Sequence, residues 1–383
     1  MNNILDYIDW RGDLTFQERP FNEVDNLIFS ELAYVNMNGI IQEDTRITLH
    51  DFYGQYLTSP NRANIPLNNP DPLLEKAAEC SRFRDILITG FVETTDAEKQ
   101  TQFAAVTFLL PDNTAYLSFR GTDDTVVGWR EDCNFSFLSP TWGQTEAVRY
   151  VNHIAAQTDY PLRIGGHSKG GHFAVYGAAF CDKTVRDQRI MEVYSNDGPG
   201  FSSRIADAEE YLSILPKVRK ILPESSLVGL LLSGSEARTI VKSSAKGIYQ
   251  HHPFTWAVCC DHFEYADGLS AESTLLDETL EKWLAGMTDD DRRLFVSTIF
   301  DSIDAAGIST LDDLRKNKLI SYNAILKASA DLPQERRGEV LKILGNLAKT
   351  GGKILWNDVV QAMEAFRQGD NPLGISLPER SAE

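Results

Sequence analysis

The chain has 383 residues, 42% of them apolar, and a formal net charge of -18. That length allows one large core of about 250 residues with a smaller appendage, and the composition is that of an ordinary globular protein with no long polar tract. The charge argues against nucleic acid as a partner, because an approach to a phosphate backbone starts against a repulsive field.

No run reaches the roughly 18 apolar residues of a membrane-spanning helix, and Met1-Asn2-Asn3-Ile4-Leu5-Asp6 lacks the basic and apolar regions of a signal peptide. The expectation is a cytoplasmic protein with no integral membrane segment. Cys80, Cys133, Cys181, Cys259 and Cys260 show no disulfide-framework spacing and read as reduced thiols.

In chain order, residues 86–92, 103–110 and 115–119 are apolar and β-rich, with Pro111-Asp112-Asn113 as a turn between the last two. They predict an antiparallel start to a sheet. A helix over 141–157, a strand over 162–166, a helix over 170–180 and strands over 190–195 and 218–222 follow. That alternation predicts an α/β fold, a mostly parallel sheet flanked by helices. The apolar run 227–232 reads either as a buried helix end or as a lid, since runs this short are ambiguous by periodicity.

Beyond about Leu269 the strand pattern stops. Charged segments of helical period cover 273–285, 289–305, 311–316, 322–330 and 334–349, with Thr310 and Ser321 placed as N-caps and Gly351-Gly352 as a terminator. The division expected is an α/β domain over 1–268 and an all-helical C-terminal region over 269–383.

Gly166-His167-Ser168-Lys169-Gly170 stands between the strand 162–166 and the helix opening at Gly170. A nucleophile elbow requires this arrangement: the serine occupies a sharp strand-to-helix turn, and side chains two residues to either side would collide with neighbouring backbone. Ser168 is the candidate nucleophile. A serine needs a base for its proton and N–H donors for the oxyanion. The Lys169 N–H, in the first turn of the helix, is one candidate donor. Thr122, in the loop Phe119-Arg120-Gly121-Thr122-Asp123-Asp124-Thr125, supplies the other, its hydroxyl holding the loop or reinforcing the backbone donor.

Phe119-Arg120-Gly121-Thr122 followed by Gly166-His167-Ser168-Lys169-Gly170-Gly171 resembles the paired signatures of class 3, fungal-type lipases. Together with Trp10-Arg11-Gly12-Asp13, Asn22-Glu23-Val24-Asp25-Asn26 and Gln250-His251-His252-Pro253-Phe254-Thr255-Trp256, these motifs resemble more closely the bacterial Mbeg-like family of lipase-related proteins, over roughly residues 1 to 265. The resemblance implies an α/β-hydrolase fold and ester hydrolysis.

In α/β-hydrolases the acid and the histidine follow the nucleophile. His251 is the candidate base, because its loop with Trp256 downstream resembles the catalytic-histidine loop of the lipases; His252 is the alternative. The candidate acid is Asp197, which caps the strand after the nucleophile helix in an Asp-Gly-Pro-Gly-Phe run that resembles the acid-bearing turn of pancreatic-type lipases. Class 3 lipases carry the acid one strand later, where this chain has Ser in Pro223-Glu224-Ser225-Ser226, which makes Glu224 the runner-up.

His251, His252, Cys259, Cys260, Asp261 and His262 include zinc-ligand types, but adjacent pairs diverge and the convergent spacing is missing, so no metal and no cofactor are expected. The function expected is a serine hydrolase of acyl or lipid-like small-molecule esters. Its rival is a catalytically silent hydrolase-fold scaffold whose helical C-terminal region binds a protein partner.

Overall fold

The structure, a computed structural model, describes residues 1–42, 45–63, 69–123, 125–232, 234–271, 273, 274, 277, 288–305 and 310. Four helices lie in the N-terminal quarter: α1 (Ile4–Arg11), α2 (Glu23–Leu32), α3 (Leu49–Tyr56) and α4 (Asp71–Glu79). The sheet comprises β1 (Ile47–Thr48), β2 (Leu87–Asp96), β3 (Thr101–Leu109), β4 (Ala115–Phe119), β5 (Leu162–His167), β6 (Ile190–Asn196), β7 (Val218–Pro223) and β8 (Arg238–Val241). Between β4 and β7 run α5 (Val126–Asn134), α6 (Trp142–Gln157), α7 (Lys169–Phe180), α8 (Lys183–Gln188), α9 (Ser203–Ala206) and α10 (Glu209–Ile214). A short hairpin, β9 (Val258–Cys259) and β10 (His262–Phe263), and α11 (Asp289–Ala305) follow.

The eight strands lie side by side in sequence order. β1 to β4 pair antiparallel and β4 to β8 parallel. This is the mostly parallel, helix-flanked sheet of the α/β-hydrolase class. Right-handed crossovers that always step in one direction put their helices on one face of a sheet. Accordingly α6, α7 and α10 pack together, and Ala115, Leu117 and Phe119 of β4 join their core. Tyr116, pointing the other way as strand pleating requires, belongs to the second core, built by the N-terminal helices.

That second face is covered chiefly by α2, which packs on β4 and β5. Its start is fixed by a capping box, with Asn22 Oδ1 accepting from the N–H groups of Val24 and Asp25 while Asp25 Oδ2 accepts from the Asn22 N–H. Every residue from Val24 to Leu32 is buried, polar ones included. The polar groups are paired across the face: Asn26 Nδ2 donates to Asn196 Oδ1 at 2.9 Å, Tyr116 donates to Asn26 Oδ1 at 2.7 Å, and Ser118 donates to the Phe29 carbonyl at 2.9 Å.

Arg82, just past α4, ties this layer together. Its guanidinium forms a bidentate pair with Asp25 at 2.8 and 2.5 Å and donates to the carbonyls of Leu14, Arg19 and Pro20. Neither partner of the pair is exposed.

The run 227–232 forms a 3-10 turn, Val228–Leu230, beneath the end of β6. The helix expected over 289–305 is α11, docked on α5 through Arg130 to Asp301 and Asp304 and through Arg292 to the Ser136 carbonyl. Thr310, expected as an N-cap, forms an isolated bridge with Thr125. The segments expected over 311–316, 322–330 and 334–349, with Ser321 and Gly351-Gly352, lie outside the described residues, as does most of 273–285.

Replacing Arg82 by Met strands the Asp25 carboxylate in the core. The expected loss is about 3–5 kcal/mol, read as a lower urea midpoint at unchanged m-value.

Candidate active site

β5 lies between β4 and β6 with Gly166 opposite both Phe119 and Ser195, so the three strands end at one level. Ser168 follows β5 with φ +59° and ψ -131°, on the left-handed side that a non-glycine residue occupies only under strain. Its N–H donates to the Asn196 carbonyl at 2.9 Å, which fixes the bend to β6. A Cβ on Gly166 would overlap the backbone of Gly170 and the Phe119 carbonyl, and one on Gly170 would overlap the same carbonyl. The two flanking glycines are therefore steric requirements of the bend.

Asp197 is the next residue after β6. It takes φ +49° and is fully buried. Its Oδ2 lies 2.6 Å from His251 Nδ1, and its Oδ1 accepts from Ser226 Oγ at 2.5 Å and from the Gly229 N–H at 3.2 Å. The Ser226 and Gly229 contacts explain the apolar run: it is the cradle of the Asp197 carboxylate. His251 ends the 3-10 segment Gly247–His251, and its Nε2 lies 3.0 Å from Ser168 Oγ. With Nδ1 facing a carboxylate, the ring carries its proton there and turns the Nε2 lone pair to the serine hydroxyl.

The histidine loop is anchored from two sides. The buried Trp256 donates to the Gln250 carbonyl at 2.8 Å, and Gln250 Oε1 accepts from the Ser225 N–H at 2.7 Å. His167 Nε2 lies 2.9 Å from the His251 carbonyl.

The loop after β4 passes over the elbow, since a Cβ on Gly121 would meet Tyr34 Oη, the His167 carbonyl and Ser168 Cβ. Thr122 donates its hydroxyl to Asp132 Oδ2 at 2.5 Å. Burial pushes the Asp132 carboxyl up to about 6, against the pull of Lys169 and of the Thr122 hydrogen bond. Lys169 opens α7 with its N–H ahead of the helix's own hydrogen-bond ladder. Its side chain turns inward, Nζ donating to Gln102 Oε1 at 2.9 Å and facing Glu131 Oε2 at 3.4 Å, with ammonium and carboxylate both fully buried. Glu131 also accepts from Thr101 Oγ1, the Gln102 N–H and the Gly143 N–H. Two consecutive residues of α5 thus hold both sides of the elbow, Asp132 through Thr122 and Glu131 through Lys169.

Ser168, Asp197 and His251 come together; the two alternatives do not join them. His252 turns into its own turn, where Nδ1 accepts from the Phe254 N–H at 3.3 Å, and burial and the neighbouring His251 push its pKa down. Glu224, at the end of β7, is tied through its backbone to Val241 and Ser270.

His172, on α7, is a packing histidine. It stacks between Phe135 and Phe201, with Nδ1 3.0 Å from the Gly200 carbonyl and Nε2 2.8 Å from Gln144 Nε2, and burial lowers its pKa to about 3.

Cys259 and Cys260 are exposed on the β9–β10 hairpin. Among the described residues no three His, Cys, Asp or Glu side chains cluster to hold a metal, and no helix is long and apolar enough to cross a membrane.

The fold and this site define a lipase-like α/β hydrolase architecture. The chain matches the Mbeg1-like family over residues 77–301 and belongs to that family. Among solved structures it is similar to the native Rhizomucor miehei lipase propeptide complex (15% identity, 64% of this chain and 74% of that chain covered, TM-score 0.37). It is also similar to lipase II from Rhizopus niveus (14%, 58% and 91%, 0.32) and to the Lip2 lipase from Yarrowia lipolytica (13%, 66% and 88%, 0.35). No curated protein sequence matches the chain.

A Gly170→Ala substitution forces its methyl group against the Phe119 carbonyl. The elbow then shifts at an expected cost of about 1–3 kcal/mol, measured as a fall in Tm.

Proposed function

We propose that the protein is a serine hydrolase that cleaves carboxylic esters of acyl or lipid-like type through Ser168, His251 and Asp197. The observation that carries this reading is the unbroken line from the buried Asp197 carboxylate through the His251 ring to Ser168 Oγ, with links of 2.6 and 3.0 Å. Ser168 Oγ attacks the ester carbonyl carbon while its proton passes to His251 Nε2, and Asp197 balances the imidazolium that forms. The carbonyl oxygen, now anionic, accepts from the Lys169 N–H and from Thr122. Because the Thr122 hydroxyl is committed to Asp132, Thr122 offers its backbone N–H. His251 then protonates the departing alkoxide, leaving acyl-Ser168. Water attacks that ester by the same proton route in reverse, releasing the acid. None of these steps calls for a metal or organic cofactor.

The exposed Trp129 and Tyr249, on the segments that carry Asp132 and His251, support an apolar acyl group. All five cysteines are free, in keeping with a reducing compartment, and we place the protein in the cytoplasm. Residues 1–268 carry every part of this mechanism and form the proposed hydrolase domain, with 269–383 as the helical C-terminal region. The scaffold reading, with a protein partner on that region, drew on the missing acid after β7; a carboxylate on His251 from β6 favours the hydrolase.

A fluorophosphonate probe is expected to label the wild type and not Ser168→Ala; equal labelling of both would remove Ser168 from its role. On p-nitrophenyl esters, Asp197→Asn is expected to lower kcat by about 10⁴, with Glu224→Gln close to wild type. Rates that do not rise from acetate to medium-chain esters would discard the lipid-like substrate.

A further inference from the structure

The buried carboxyl of Glu31 has no place in that chemistry, yet it lies behind it. Glu31 is near the end of α2, is fully buried, and neither of its oxygens has a hydrogen-bond partner among the described residues. What it faces is an imidazole: Oε1 is 3.4 Å from Nδ1 of His167, the residue before Ser168. Tyr34 Oη lies 3.3 Å from that nitrogen and donates to the His167 carbonyl at 3.5 Å.

The other end of the ring decides the tautomer. His167 Nε2 lies 2.9 Å from the His251 carbonyl, an atom that only accepts, so Nε2 carries a proton. In a neutral ring Nδ1 then presents a lone pair. An ionised Glu31 opposite that lone pair would be repelled and, unpaired in the core, costly to hold. The contact is favourable only if one proton lies between Glu31 and Nδ1. Burial decides which group carries it: the Glu31 carboxyl is pushed up to about 8 and His167 well below its ordinary value, with His251 and His252 lowering it further. The remaining groups at this spot are the Tyr34 hydroxyl, pushed up by burial, and Arg120 and Asp132, whose charges act on it. The proton sits on Glu31.

Resting on the hydrolase reading above, we infer that Glu31 and His167 are a second carboxyl-imidazole pair whose single shared proton positions His251 from behind. The Glu31 acid donates to Nδ1, the His167 N–H grips the His251 carbonyl, and the two rings stand 4.6 Å apart at 35°. Asp197 orients the His251 side chain; Glu31, through His167, holds its backbone. The arrangement also keeps His167 uncharged, so no cation faces His251 when it takes the Ser168 proton. Loss of the Glu31 proton opposes two lone pairs and releases the grip.

Two measurements on the full chain test this. In ¹⁵N-histidine NMR at pH 7, His167, assigned from a His167→Phe sample, is expected as the neutral Nε2–H tautomer; an Nδ1–H or a cationic ring overturns the pair. In ester hydrolysis, Glu31→Leu is expected to lower kcat at least about tenfold at near-constant KM, as misalignment of a reacting group does. Glu31→Gln, whose amide donates to Nδ1 at every pH, recovers most of that loss and abolishes the alkaline fall of the wild type above about pH 8. A pH profile of Glu31→Gln that superimposes on wild type, with Ser168 still labelled, overturns the inference and leaves the hydrolase standing. If folded wild type is not labelled, the hydrolase reading fails, and the His167 tautomer still decides whether the pair exists.

Discussion

A sheet whose strands are added in one direction can be clothed on one face only by its own crossover helices. That constraint explains most of the molecule. α6, α7 and α10 cover one side, and the other needs a separate cover, which the first eighty residues supply. Because this cover packs directly under β4, β5 and β6, α2 reaches the strand ends where Ser168 and Asp197 emerge. Asn26 meets Asn196 beneath Asp197, and Glu31 meets His167 beneath Ser168. The N-terminal layer is at once half of the core and the floor of the site.

Two non-glycine residues at the centre of that site hold positive φ, Ser168 at +59° and Asp197 at +49°. Such conformations persist where surrounding structure over-determines them. Here the restraints are identifiable. The Ser168 N–H is bound to β6 and the Asp197 N–H to Ile221 of β7, so each strained residue is clamped by the next strand. The Asp197 carboxylate is further saturated by Ser226, Gly229 and His251. Ser226, just after β7, thus reaches back to the residue that follows β6.

The elements that the sequence announced are those with simple periodicity. Strand 115–119 matches to the residue and the others to within a few positions. The elbow was legible because its glycines answer a steric demand that few other residue types can meet. α2 was not legible: it is buried on all sides, with Asp25, Asn26, Ser30 and Glu31 inward, so it carries no apolar stripe to betray a helix. Glu131 carried no signal in the sequence, because its buried partner Lys169 is brought to α5 from beyond β5 by the fold. No local pattern distinguishes a solvated carboxylate from one that pairs with a buried ammonium. The run 227–232 was ambiguous for a related reason, since its role lies in backbone and hydroxyl donors rather than in its apolar side chains.

Buried charge is concentrated around the elbow to a degree that stability alone does not favour. A Lys–Glu pair in a core is often no better than apolar residues of the same volume, while its geometry is more exacting. Lys169 and Glu131 are fully buried, and Glu131 is saturated by four donors, so any displacement of α5 against α7 breaks several bonds together. A wholly apolar contact at this position would tolerate sliding. The charged one fixes α5, and with it Asp132 and Thr122, against the start of α7 just after Ser168. The same logic holds for Glu31 and His167 on the opposite side, where a shared proton takes the place of a full charge pair. Polar contacts whose geometry cannot drift thus bracket the elbow, and these, more than the apolar core, set the relative positions of Ser168, His251 and the loop after β4.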